Sequence, residues 1–154
     1  LEHLASLLWA GFGVNRPDGH RTAPSARNWQ EVDIYVLLKQ GAFLYDAKAH
    51  RLVPVVAEDV RALGGTQDFA KTAPLTLAYV ADLARMGSGS AAEKEPMAWV
   101  DTGFISQNVY LYCASEGLAT VVRASVDKPA LGAKLGLRGD QRIVVAQSVG
   151  FPKR

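Results

Sequence analysis

The chain has 154 residues, 49% of them hydrophobic and 21% charged, with 17 Lys and Arg against 15 Asp and Glu. That length suits one domain with a real core, the composition is too apolar for intrinsic disorder, and no uncharged stretch approaches the roughly 20 apolar residues of a membrane span. A net charge of +2 with mixed signs leaves no footprint for nucleic acid, and a lone cysteine, Cys113, excludes an internal disulfide framework and speaks against a cysteine-based zinc site.

Residues 1–12 read as an amphipathic helix, with Leu1, Leu4, Leu8 and Phe12 near helical spacing. Leu1 is not an initiator methionine and already lies inside that pattern, so residues are expected to be missing upstream. A polar stretch over 15–28, containing Pro17, Gly19 and Pro24, predicts a long ordered loop of a length that tends to be functional. Strands follow at 32–38, 42–46 and 51–56, with turns at Gly41 and 47–50, as in a β-meander. Short helices are expected over 57–64 and 67–71, then a strand over 74–81. Residues 86–95 (MGSGSAAEKE) look too small and polar for the core and read as a mobile surface loop.

Pro96 is placed as the first residue of a long helix reaching Ser115 or Glu116. Its apolar residues Val100, Phe104, Val109, Leu111 and Tyr112 cover much of the circumference, so burial is expected, with Ala98, Gly103 and Ser106 allowing close helix approach. A strand over 119–124, a helix over 128–137 and a strand over 142–149 complete an α+β or mixed α/β pattern.

Several familiar constellations fail. Gly11-Phe12-Gly13 lacks the third glycine of a dinucleotide fingerprint and follows no strand, so it is expected to be a turn. His3, His20 and His50 are scattered without ligand spacing, so no metal is expected. Cys113 lies mid-helix among apolar residues and reads as a buried, inert thiol.

Two segments carry more. Residues 21–30 (RTAPSARNWQ) form a proline-fixed turn with small residues at Ser25 and Ala26 and amide side chains at Asn28 and Gln30. Small residues let a planar ligand approach the backbone, and Asn suits the mixed hydrogen-bonding edge of a heterocycle. A capped turn, with Ser25 as N-cap and solvated Asn28 and Gln30, is the ordinary alternative. The second segment, 101–123, is a helix ending in Ser115-Glu116-Gly117-Leu118 and feeding a strand; glycine there can take φ > 0 and leave backbone facing a ligand.

Together these segments resemble the nitroreductase family of FMN-dependent oxidoreductases, in its shorter, SagB-like branch. Pro24, Ser25, Ala26, Asn28 and Gln30 match the family's P-S-[SA]-x-N-x-Q motif, with Glu31 where proline is common. Asp101, Gly103, Gln107, Asn108, Leu111, Ala114, Gly117, Leu118 and Thr120 fall in register with the form DxGxxxQNxxLxAxxxGLGT. Leu7-Leu8-Trp9-Ala10 and Val149-Gly150-Phe151-Pro152 resemble the first helix and closing strand and turn.

The resemblance implies one nitroreductase-like domain over 1–154: a mixed, mainly antiparallel sheet flanked by helices, with the long central helix at a homodimer interface and FMN between subunits. It implies that Pro24, Ser25 and Ala26 pack on the isoalloxazine, that Asn28 hydrogen-bonds it, and that Glu116, Gly117 and Leu118 present backbone near its N5. The family's basic N-terminal segment is absent, leaving Arg21, Lys153 and Arg154 as candidates for the phosphate. The implied reaction passes hydride from NAD(P)H to an electron-poor small molecule such as a nitroaromatic or quinone, with no side chain acting as acid or base. The alternatives are an azoline dehydrogenase and a non-catalytic flavin-binding dimer. A cytoplasmic location is expected, with residues 86–95 bordering the site.

Overall fold

A computed structural model describes residues 2–152; Leu1, Lys153, Arg154 and the side chain of Glu2 lie outside the described residues. The centre of the fold is a six-stranded sheet. In chain order its strands are β1 (Val32–Leu38), β2 (Gly41–Asp46), β3 (Arg51–Val56), β4 (Leu75–Asp82), β5 (Ala119–Arg123) and β6 (Gln141–Gly150). They lie in the order β3-β2-β1-β4-β6-β5, and every pairing is antiparallel, in keeping with the mainly antiparallel sheet expected. The meander β1-β2-β3 forms as its spacing indicates.

The central strands β1 and β4 are nearly continuous apolar runs because both faces of the sheet are covered. Val32, Ile34 and Val36 point with Leu77, Tyr79 and Ala81 toward α1 (Glu2–Phe12) and α3 (Ala91–Ser115). Tyr35, Leu37, Ala78 and Val80 point the other way, to Leu131 and Leu135 of α4 (Lys128–Leu135) and to the 3-10 turn Arg61–Gly64. α2 (Asp68–Thr72) is a single short helix before β4. Helix α1 packs on α3 so closely that a Cβ at Gly11 would lie 3.1 Å from Val109 Cγ2. Gly11 and Phe12 are therefore the last helical residues, and the expected turn begins only at Gly13.

The segment before α3 differs most from its sequence-based expectation. Met86 is buried in the core beside a 3-10 turn, Leu83–Arg85, and the helix starts at Ala91. Ser90 and Glu93 make a capping box in which Glu93 Oε2 accepts the Ser90 N–H at 2.7 Å. Pro96 sits inside the helix, within its early turns, rather than opening it. Serine and glutamate at this spacing satisfy two end amides, and that outweighs proline's preference for the first helical position.

Nor is α3 buried all round. Ala98, Ile105, Val109 and Cys113 face the core, while Phe104 and Leu111 remain 44% and 60% exposed and Met97, Trp99 and Val100 are also exposed. Elsewhere, residues 57–64 give only the 3-10 turn. Helix α4 ends at Leu135 because Gly136 takes φ +66°, while Asp127 caps its start by accepting the Ala130 N–H. Among the described residues, no helix is long and apolar enough to cross a membrane.

Candidate functional site

The turn at 21–30 is held in a costly backbone. Arg27, Asn28 and Gln30 have φ of +50°, +54° and +49°, each of which costs roughly 1 kcal/mol or more for a residue with a Cβ. A local network offsets this. Ser25 Oγ accepts the Gln30 N–H at 2.9 Å, while Gln30 Nε2 donates to Gly19 O and to Asn28 Oδ1, both at 3.0 Å. Arg21 donates from Nε to Gln30 Oε1 at 2.9 Å and stacks 4.2 Å from the centroid of the Phe12 ring. Arg85 donates to the Gln30 carbonyl at 3.0 Å.

The capped-turn alternative fits this geometry only at Asn28, which is exposed. Ser25 makes no side-chain cap for the 3-10 turn Ala26–Asn28, and the Gln30 amide is bonded at both ends. Pro24 and Asn28 are exposed and Ser25 and Ala26 half-buried. The Asn28 Nδ2 makes no hydrogen bond among the described residues. Arg21, half-buried, has its pKa lowered by desolvation and braces the turn from within. A Cβ at Gly87 would lie 3.6 Å from Trp29 Cζ2, so the residues before α3 rest against this turn.

The second candidate region closes α3. Gly117 takes φ +66°, and the Leu118 N–H returns to the Cys113 carbonyl at 2.8 Å in a Schellman closure. Leu118 packs partly into the core, whereas Glu116 and Gly117 are exposed and no atom lies within 4 Å of a Cβ built at Gly117. Glu116 Oε2 lies 3.7 Å from His3 Nδ1. Beside this corner opens an apolar groove of about 350 Å³, lined by His3, Leu4, Leu75, Leu118, Val149 and Phe151 among others. Cys113, one turn earlier, is buried, and desolvation pushes its thiol up to about 11, which makes it unreactive.

Within one chain the two regions do not meet. The turn is tied to the helix at Asp101, whose Oδ2 accepts the Ala26 N–H at 2.8 Å. Glu116 follows fifteen residues later, about 22 Å along the axis at 1.5 Å per residue. Lys153 and Arg154, the expected tail contribution, lie outside the described residues.

The structure adds a feature that motif matching left unassigned. Glu31, the departure from the motif, is 0% exposed, and neither carboxyl oxygen has a hydrogen-bond partner among the described residues. Asp101, itself only 3% exposed, is within hydrogen-bonding reach. Burial pushes the Glu31 carboxyl up to about 7, and the neighbouring Asp101 adds to the rise. The available signal was a charged residue immediately before the apolar run of β1.

The fold and the braced turn define an α+β chain with a candidate site for a small ligand, and comparison with known proteins narrows it. Residues 1–151 match the Nitroreductase family. A candidate nitroreductase of Methanocaldococcus jannaschii is 30% identical over 131 residues, covering 79% of this chain and 66% of its own length. The crystal structure of a candidate nitroreductase from Ralstonia eutropha JMP134 superposes with a TM-score of 0.93 at 38% identity, over 100% of this chain and 74% of that one. An NADPH:FMN oxidoreductase from Vibrio harveyi, complexed with NAD+, shares the fold at a TM-score of 0.72 and 19% identity, over 99% of this chain and 60% of that one. The chain belongs to the nitroreductase family, whose members are oxidoreductases. It spans just under two thirds of the curated relative it matches.

Proposed function

We propose that this chain is one nitroreductase-like domain and works as a homodimer that holds FMN between subunits and reduces an electron-poor small molecule with NAD(P)H. The observation that carries the proposal is the turn Pro24–Asn28: a costly backbone, braced from four sides, that leaves an unused amide donor on the exposed Asn28 beside two small, half-buried residues. The residues fit a planar heterocycle. Pro24, Ser25 and Ala26 allow close approach, and Asn28 Nδ2 offers a donor to a ring carbonyl or nitrogen. Glu116 and Gly117 are exposed, with open space beside Gly117, and the half-buried Leu118 completes the corner.

Because these groups stand about 22 Å apart in one chain, a shared site needs a second copy. A two-fold axis across the middle of α3 brings the turn of one protomer toward the Gly117 corner of its partner. The exposed apolar residues Met97, Val100, Phe104 and Leu111 support that pairing, since such a patch on a helix marks an interaction surface. Lys153 and Arg154 follow Pro152, the residue after Phe151, which lines the groove beside Gly117, and are proposed to reach the phosphate together with Arg21.

When bound, FMN supplies two-electron redox chemistry, linking a nicotinamide donor to the acceptor. The chain's own part is to orient and polarise. Asn28 fixes the ring by a hydrogen bond, the backbone around Gly117 supplies oriented dipoles, and Arg21 adds positive charge on the side of the turn. Titration of the protein with FMN tests this directly. Uptake should quench flavin fluorescence, and NADH or NADPH should bleach the visible flavin band without oxygen. Protein that takes up no flavin would remove the proposal, and flavin that neither nucleotide bleaches would favour a non-catalytic flavin-binding dimer.

A further inference from the structure

The turn proposed to hold the flavin is tied to α3 by one hydrogen bond, from the Ala26 N–H to Asp101 Oδ2 at 2.8 Å. Behind that bond lies Glu31, fully buried, with Asp101 within reach of its carboxyl. Two carboxylates cannot share such a dry space. One must keep a proton, and a protonated acid beside an ionised one donates a hydrogen bond to it. Asp101 is already committed as acceptor to Ala26, so the proton belongs on Glu31, which also gives a partner to one of its two otherwise unpartnered oxygens.

The positive group facing this pair is Arg85, from the 3-10 turn after β4. It is occupied by Asp33, by the Gln30 carbonyl at 3.0 Å and by Asp82 at 3.4 Å. No cation is therefore free, among the described residues, to neutralise a second negative charge there. Glu31 is also anchored: its carbonyl accepts the Asp82 N–H at 2.9 Å, so the side chain cannot leave without disturbing the start of β1.

We propose that Glu31 is a positioning residue: its protonated carboxyl donates to Asp101, Asp101 holds the Ala26 amide, and this relay sets the Pro24–Asn28 turn in the conformation that receives the flavin. Loss of the Glu31 proton places two buried negative charges together, drives Asp101 off the Ala26 amide and loosens the turn. Burial and the adjacent acid put that loss near neutral pH. The relay is independent of any nucleotide or acceptor, although its consequence for the flavin rests on the function proposed above.

The test uses the wild type, Glu31→Gln and Asp101→Asn, each first without flavin. The reporter is Trp29, three residues from Ala26 on the same turn, followed by fluorescence between pH 5.5 and 8.5, with carboxyl carbon NMR assigning the group that titrates. The wild type should show one transition near neutrality, assigned to Glu31. Glu31→Gln, whose amide donates at every pH, should hold the low-pH signal throughout. Asp101→Asn can accept from Ala26 and donate to an ionised Glu31, so its transition should move down by more than one pH unit. FMN affinity measured in parallel should fall about tenfold in the wild type across the transition and stay flat in Glu31→Gln. A wild type without the transition, or a Glu31→Gln protein that retains it, would overturn the relay. If the relay titrates as described but no variant binds FMN at any pH, the relay stands and the flavin function falls.

Discussion

At the scale of single residues, Asn28 and Glu31 carry the most consequence. Asn28 spends its Oδ1 inside the turn and keeps Nδ2 for a ligand, so Asn28→Ala should weaken FMN binding by about 1–2 kcal/mol. Fluorescence titration checks this, and an unchanged affinity would take Asn28 out of the site. Glu31 makes a statement about stability as well. Its carboxyl titrates at about 7 in the folded chain against 4.5 ordinarily, so between those values the folded state binds a proton that the unfolded state releases. Stability from this group is full below about pH 4.5, falls as pH rises through 7, and is level above that. The total is up to about 3 kcal/mol. Urea unfolding at pH 5 and pH 8 should show this loss in the wild type and not in Glu31→Gln; equal losses in both would assign the pH dependence elsewhere.

At the scale of elements, strands and site differ in how far the sequence discloses them. The central strands β1 and β4 follow from their apolar runs because a sheet covered on both faces demands them, and the meander follows from its turns. The start of α3 did not follow, because Pro96 draws attention to the first helical turn while the Ser90 and Glu93 pair, which sets the end, sits in a stretch that looks like linker. Replacing both Ser90 and Glu93 by Ala should cost about 1–2 kcal/mol in denaturant unfolding; no change would mean the helix is held by packing alone. The corner at Gly117 was legible from its glycine and is set by backbone conformation, since nothing crowds a Cβ there. Gly117→Ala should therefore cost about 1 kcal/mol, from the left-handed φ alone. The Pro24–Gln30 motif was legible as residue types, but its brace was not. Ala26 and Asp101 are 75 positions apart, and only the fold places them in contact.

At the scale of the whole molecule, the exposed side of α3 and the 22 Å between turn and corner have one common explanation, a site completed by a second protomer. Phe104→Glu together with Leu111→Glu should place charge in that interface, yield monomers in sedimentation, and abolish FMN uptake while leaving the fold intact by circular dichroism. Dimers that persist would put the interface elsewhere. The shared site is tested most directly by mixing two defective chains, one carrying Asn28→Ala and the other Gly117→Val, and measuring flavin bound per mixed dimer. If the turn of one protomer works with the corner of its partner, each mixed dimer contains one site with both lesions and one with none, and should bind one FMN at wild-type affinity. If each chain builds its own site, both sites in the mixed dimer remain impaired, and recovery of no wild-type site would contradict the shared arrangement.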